Sequence, residues 1–214
     1  MTKQPKHFHP EFVAWGVLIL LTLIWGSSFI LIKKGLAVFS ATQVSAIRIL
    51  SASIFMIPFA FSWMKRIDKR HYFLIFISGF LGSLIPAFLF AIAQTRLASA
   101  VTGMINSLTP VFVILVGFMF YRQKITGIMI FGLVLAFAGT TLLMFYGSDE
   151  DHKINFYAFF VVAATILYGV NVNILKFNLS DLNAIAISSI SLVFVGPLAA
   201  IQLFVFTDFS SRIA

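Results

Sequence analysis

There is no cysteine among the 214 residues, which removes a disulfide framework, a thiolate metal site and a cysteine nucleophile together. Charge is also scarce: 10% of the residues are charged against 60% hydrophobic, and a soluble domain is not built this way. The few acids are badly placed for chemistry. All seven, Glu11, Asp68, Asp149, Glu150, Asp151, Asp181 and Asp208, fall in expected loops or tails, as do the four histidines, His7, His9, His71 and His152. An intramembrane aspartyl protease or metalloprotease needs acids or histidines on facing helices, and a serine protease needs a general base near its serine. A retinal pump wants a lysine and an acidic counter-ion in its last span. The chain is therefore expected to be neither an enzyme nor a holder of a metal or cofactor. His7 and His9, spaced like weak metal ligands, are read as solvent-facing residues of a basic tail.

What fills the sequence instead is a series of apolar runs. A helix crossing a hydrocarbon core of about 30 Å needs roughly 20 apolar residues. Seven runs meet that length, at 12–32, 41–63, 72–94, 98–120, 125–146, 156–175 and 183–206, each bounded by charges or turn residues. They are too long and too uniformly apolar for barrel strands. The first exceeds the core of a secretion signal and is followed by no small-residue cleavage pattern, so it reads as a retained helix. The expected fold is all-α: a polytopic membrane bundle of seven transmembrane helices.

The net charge of +8 follows orientation better than it follows a nucleic-acid partner, because the basic residues sit in short loops between spans. Lys3, Lys6, Lys65, Arg66, Lys69, Arg70, Arg122, Lys124 and Lys176 fall on one side. Lys33, Lys34, Arg96, Lys153 and Arg212 fall on the other. The positive-inside rule then puts the N-terminus in the cytoplasm.

The chain also matches itself weakly. At an offset of 143 residues Trp25-Gly26-Ser27-Ser28 meets Tyr168-Gly169-Val170-Asn171, Lys33 meets Lys176, and Ser45 meets Ser188. Five spans separate the two starts, so the second copy enters from the opposite face, as in inverted-repeat transporters with a midplane site. The organisation expected is a cytoplasmic tail (1–11), a five-helix repeat (12–146), an external loop (147–155) and an incomplete second repeat of two helices (156–214).

LTLIWGSSFILIKKGL, AIRILSASIF, LASAVTGMINSLTPVFVILVGFMF and ITGIMIFGLVLAFAGTTLLM, in this order and spacing, resemble the first half of an EamA-type member of the drug/metabolite transporter superfamily. The resemblance implies ten helices in two inverted five-helix repeats and movement of small metabolites, often outward across the inner membrane. It also implies three helices beyond the seventh, so the chain is expected to be truncated unless a partner supplies that surface. Relatives carry a glutamate after the fourth helix where this chain has Gln123.

Arg48 is the one ionisable residue inside a span, which makes it a functional candidate by default, with snorkelling to the interface as the alternative. No carboxylate at membrane depth is present to pair with it. Ser99, Gly103, Asn106 and Pro110 share a helical face, and Pro110 frees the Asn106 carbonyl. Thr165, Gly169 and Asn173 share another, with Tyr168 and Asn171 beside it; packing between helices is the competing account of both stripes. Trp25 lies past the middle of its run rather than at an interface, next to Ser28. The substrate-binding set expected is Trp25, Ser28, Arg48, Asn106, Pro110, Tyr168 and Asn171, with Trp25 and Tyr168 as an aromatic wall. The expected partners are a small amphipathic solute and the lipid bilayer, and the arrangement allows a homodimer. The function expected is export by alternating access. The alternative is a non-transporting membrane subunit packed against another protein.

Overall fold

The computed structural model describes residues 10–146 and 155–210. Lys3, Lys6, Lys153 and Arg212 of the charge bias lie outside the described residues. So do His7, His9, Asp149, Glu150, Asp151, His152, nearly all of the expected tail (1–11) and most of the expected loop (147–155).

The described residues form helices and no strands. They are α1 (Pro10–Gly35), α2 (Ala41–Met64), α3 (Tyr72–Gly79), α4 (Ile85–Gln94), α5 (Ser99–Asn106), α6 (Thr109–Tyr121), α7 (Gly127–Tyr146), α8 (Ala158–Asn178) and α9 (Ala184–Phe204). A π-helical turn, Phe80–Leu84, joins α3 to α4, and a short 3-10 turn, Lys69–His71, precedes α3. Six stretches are long and apolar enough to cross a membrane, among them Lys69–Gln94 and Ser99–Tyr121, so α3 with α4 and α5 with α6 each make one span. Gly127–Gly139 within α7 is a shorter apolar helix. The chain is thus a multi-span helical bundle.

Local sequence sets the ends. Ser40 and Gln43 close a capping box at the start of α2, and the Asn183 side chain accepts the Ile185 N–H at the start of α9. Arg122 ends α6 in the left-handed region at φ 52°. Prolines mark both interrupted spans: Pro86 follows the π turn, and Pro110 follows the break between α5 and α6.

The centre of the bundle is the antiparallel pair α2 and α9. Ala46 and Ile49, near the start of α2, pack with Val195, Ala199 and Leu203, near the end of α9. Ala60, near the end of α2, packs with Ala186, Ile187 and Ile190 at the start of α9. At the crossing Gly196 lies so close to Ser53 that a β-carbon on the glycine would overlap the serine hydroxyl. Small residues permit such approaches in lipid, where packing rather than water exclusion holds helices together. Both ends of the pair carry polar ties. The Gln43 Nε2 donates to Asp208 Oδ1 at 3.1 Å, and His71 Nε2 faces Asp181 Oδ2 at 3.8 Å.

Overpacking a filled crossing typically costs about 1–3 kcal/mol. Gly196→Ala is therefore expected to lower the thermal unfolding midpoint of the detergent-purified protein. Adding Ser53→Gly, which removes the hydroxymethyl group in the way, should recover most of the loss. A Gly196→Ala protein as stable as the parent would show that the crossing is looser than this geometry.

Candidate functional site

The second half of α8 meets two different surroundings. Thr165, Gly169 and Asn173 form its buried face, and all three are sealed from solvent. A β-carbon on Gly169 would sit 2.8 Å from the Phe112 carbonyl carbon, so α6 and α8 touch backbone to side-chain-free backbone. Asn173 staples the same contact, its Nδ2 donating to the Val113 carbonyl at 2.9 Å and to its own Gly169 carbonyl at 2.8 Å. At one end of this pair, Tyr121 stacks on Phe177 with centroids 4.6 Å apart and bonds Asn178 at 3.0 Å, while Lys176 donates to Gln123 at 3.3 Å. This stripe is packing.

Tyr168 and Asn171 lie beside it and are half-buried. The Tyr168 ring meets Phe90 of α4 at 5.9 Å, and Phe90 meets Phe29 of α1 at 5.6 Å, edge-on. Phe29, Phe90 and Tyr168 thus form one row of rings. Trp25, one turn before Phe29, is 64% exposed. Sequence could not single out Phe29 or Phe90 among 26 phenylalanines, because nothing in their local spacing distinguishes them from lipid-facing neighbours.

Arg48 reaches this region from α2. Its Nη2 donates to Ser28 Oγ at 3.2 Å, joining α2 to α1 beside Phe29, the first ring of that row. One side of the arginine stays open, and the residue is exposed. Among the described residues it forms no ion pair. Ser28 and Arg48 are thus brought together beside the ring row that ends in Tyr168, with Asn171 one helical turn along from Tyr168.

Asn106 and Pro110 sit at the break between α5 and α6. The carbonyl that Pro110 frees is taken by the Thr109 hydroxyl, Oγ1 to Asn106 O at 2.7 Å, with the Asn106 side-chain oxygen 3.4 Å away. Ser99 and Gly103 on the same face meet α1: Ser99 donates to the Phe29 carbonyl at 3.1 Å, and the Phe29 ring lies 3.6 Å from the β-position of Gly103. Two cavities lie apart from Arg48. One of about 360 Å³ is lined by Lys33, Ser40 and Gln94, where Lys33 Nζ caps the Gln94 and Leu97 carbonyls at 2.8 and 3.0 Å. The other, about 690 Å³ and apolar, opens between α6 and α7.

Residues 14–145 match the EamA-like transporter family. The chain belongs to that family. It is similar to an "Uncharacterized transporter" of Archaeoglobus fulgidus, with 26% identity over 200 residues that cover 92% of this chain and 68% of the relative. It is also similar to "Uncharacterized transporter YdfC" of Bacillus subtilis strain 168, with 23% identity over 137 residues that cover 64% of this chain and 45% of the relative. No solved structure matches it. The chain is a multi-pass membrane protein of a transporter family, and Arg48, two turns into α2, and Tyr168, at the middle of α8, are to be read in that setting.

A freed carbonyl left without a donor in a low-dielectric span costs about 1–3 kcal/mol. Thr109→Val is expected to lose stability on that scale while Thr109→Ser keeps it, as read by thermal unfolding in detergent. Equal midpoints for the two variants would mean that the break is satisfied in another way.

Proposed function

We propose that this EamA-family chain exports small amphipathic metabolites by alternating access, across a plasma or inner membrane, with its N-terminus in the cytoplasm. The observation that carries the reading is Arg48: a guanidinium inside a span, anchored to Ser28, with an open side and no carboxylate partner among the described residues. An unpaired cation in a span is costly, so a ligand that neutralises it is strongly favoured. The Phe29, Phe90 and Tyr168 rings beside it give an apolar body somewhere to lie.

The organisation into two inverted repeats draws support from the crossing of α2 and α9. Ser53 and Gly196 are separated by the same 143 residues as Trp25 and Tyr168. Under an in-plane two-fold axis they are mates, and mates on antiparallel helices meet each other at the axis. Ser53 and Gly196 do touch, so closely that a β-carbon on the glycine would overlap the serine.

Arg48→Lys keeps the charge and loses the planar fork, so it is not conservative at a binding site. In the full chain reconstituted in vesicles, Arg48→Lys is expected to reduce efflux of amphipathic anions by about tenfold or more, the scale of one lost charge-assisted hydrogen bond. Trp25→Ala should impair transport and Trp25→Phe should be tolerated, with membrane expression followed in parallel. Normal flux through Arg48→Lys and Trp25→Ala would move the site to Asn106, Tyr168 and Asn171. Absence of any substrate-dependent flux in the parent would favour a subunit that packs against a partner.

Orientation is checked separately. A reporter fused after Asp68 is expected to behave as cytoplasmic and one inserted at Asp149 as external; the reverse pattern would overturn both the orientation and the inverted repeat.

A further inference from the structure

The third span contains a device that the transport reading leaves unused. Between α3 and α4 the helix widens into a π turn at Phe80–Leu84, and Gly82 stands in its middle. Such turns inside membrane spans expose backbone oxygen. Here the Ile85 N–H donates to the Phe80 carbonyl, and Pro86 has no N–H to give. The Leu81 carbonyl is thereby left without its donor at either four or five residues on, and the Gly82 carbonyl without its donor at four.

Asn171 of α8 is seated against this turn. Its Nδ2 is the atom nearest to the β-position of Gly82, and a methyl group there would overlap it. The amide oxygen lies farther off, 3.4 Å from the same position, so the amide stands edge-on to the turn with its nitrogen nearer. That oxygen, Asn171 Oδ1, is buried and has no hydrogen-bond partner. A buried, unpaired acceptor is costly unless something supplies a donor. Asn171 follows Tyr168 by three residues, about 4.5 Å along the helix, and Tyr168 ends the ring row whose other end, Phe29, adjoins the Ser28 that holds Arg48.

We propose that Asn171 Oδ1, held in place by Gly82 and the π turn, is an acceptor subsite that selects anions carrying a hydroxyl or amino donor near an apolar body. Arg48 takes the anionic group, the Phe29, Phe90 and Tyr168 rings take the body, and Asn171 takes the donor. Gly82 acts through Asn171 and is a positioning residue: its missing side chain is what lets the amide rest against the turn. The inference rests on Arg48 being an anion site, as argued under the proposed function.

The test uses two acids that differ by one hydroxyl, 3-phenyllactate and 3-phenylpropanoate, with binding to the full chain in lipid nanodiscs measured by isothermal titration. The parent is expected to bind 3-phenyllactate about fivefold or more tightly than 3-phenylpropanoate, the scale of one net hydrogen bond. The ratio should fall to near one in Asn171→Ala and in Gly82→Ala, whose new methyl group displaces the amide. The double variant should fall no further, because both changes remove the same contact. Arg48→Gln should lose both acids. A parent that binds the two acids equally, with both lost in Arg48→Gln, overturns the acceptor subsite and leaves the Arg48 reading standing. A preference that survives in either single variant also overturns it. Failure of the parent to bind either acid overturns the Arg48 reading and this inference with it.

Discussion

The contact between Gly196 and Ser53 is the constraint on which the rest of the arrangement hangs. It sets how closely α2 and α9 approach, and the elements around them take their positions from that pair. Ala87 of α4 joins the same cluster as Ala46 and Val195, and the Ser45 hydroxyl donates to the Ala87 carbonyl at 3.0 Å. On the other flank a β-carbon on Gly79 of α3 would lie 2.6 Å from the Ser191 carbonyl oxygen of α9. The third span is therefore clamped to α2 and α9 on both sides of its π turn. A turn held at both ends keeps its widened geometry, which fixes where Gly82 meets Asn171. Arg48 is positioned by the same pair, since it projects from the α2 segment whose Ala46 and Ile49 are locked against α9.

Two interrupted spans obey different rules within one bundle. At the break between α5 and α6, the polar groups freed by Pro110 are satisfied locally by Thr109, and the interruption is structural. At the π turn before α4, Pro86 frees carbonyls and the nearby Asn171 keeps an unpaired oxygen. The physical difference lies in the side chain three residues beyond the freed carbonyl. Thr109 stands at that place after Asn106, within reach of the oxygen it must bond. Gly82 carries the carbonyl four residues before Pro86, and no hydroxyl stands at the corresponding place after it, where the residue is Ile85. A span can heal its own break only where a short polar side chain falls at the right offset.

Much of the architecture was legible because membrane helices obey length and hydropathy rules that need no tertiary knowledge. The apolar runs reappear as helices, and Pro86 and Pro110 mark the two spans that are interrupted. The packed stripe of Thr165, Gly169 and Asn173 was legible as well, since residues at spacing four share a face whatever they meet. The site was less so. Arg48 stood out by cost alone, but its contact with Ser28 depends on how α1 and α2 pair at one depth, which no spacing rule encodes. Asn106 looked like a lining residue from its freed carbonyl, and its neighbour Thr109 took that carbonyl. Phe29 and Phe90 were invisible among many phenylalanines. Gly82 gave a faint signal, a glycine four residues before a proline in a span.

Trp25 and Gly26 set the remaining puzzle of α1, and the repeat reading gives it a physical form. A glycine weakens a helix by about 0.5–1 kcal/mol relative to alanine. At Gly169 the cost is offset, because α6 comes close enough for the Phe112 backbone to occupy the space a side chain would fill. Gly26, the residue that Gly169 matches at the 143-residue offset, meets no atom within 4 Å, and α1 around it is exposed. Lipid chains do not need a glycine in order to pack against a helix, nor do they account for an indole past the middle of a span. If α1 and α8 are symmetry mates, the face of α1 that carries Gly26 has the shape to take a backbone as α8 takes that of α6. Trp25 then stands beside a helix contact and not in lipid, at the same depth as Tyr168 on its own helix. On the repeat reading, the exposed indole and the open glycine have one cause: both belong to a surface shaped for close packing, whose mate on α8 is already packed.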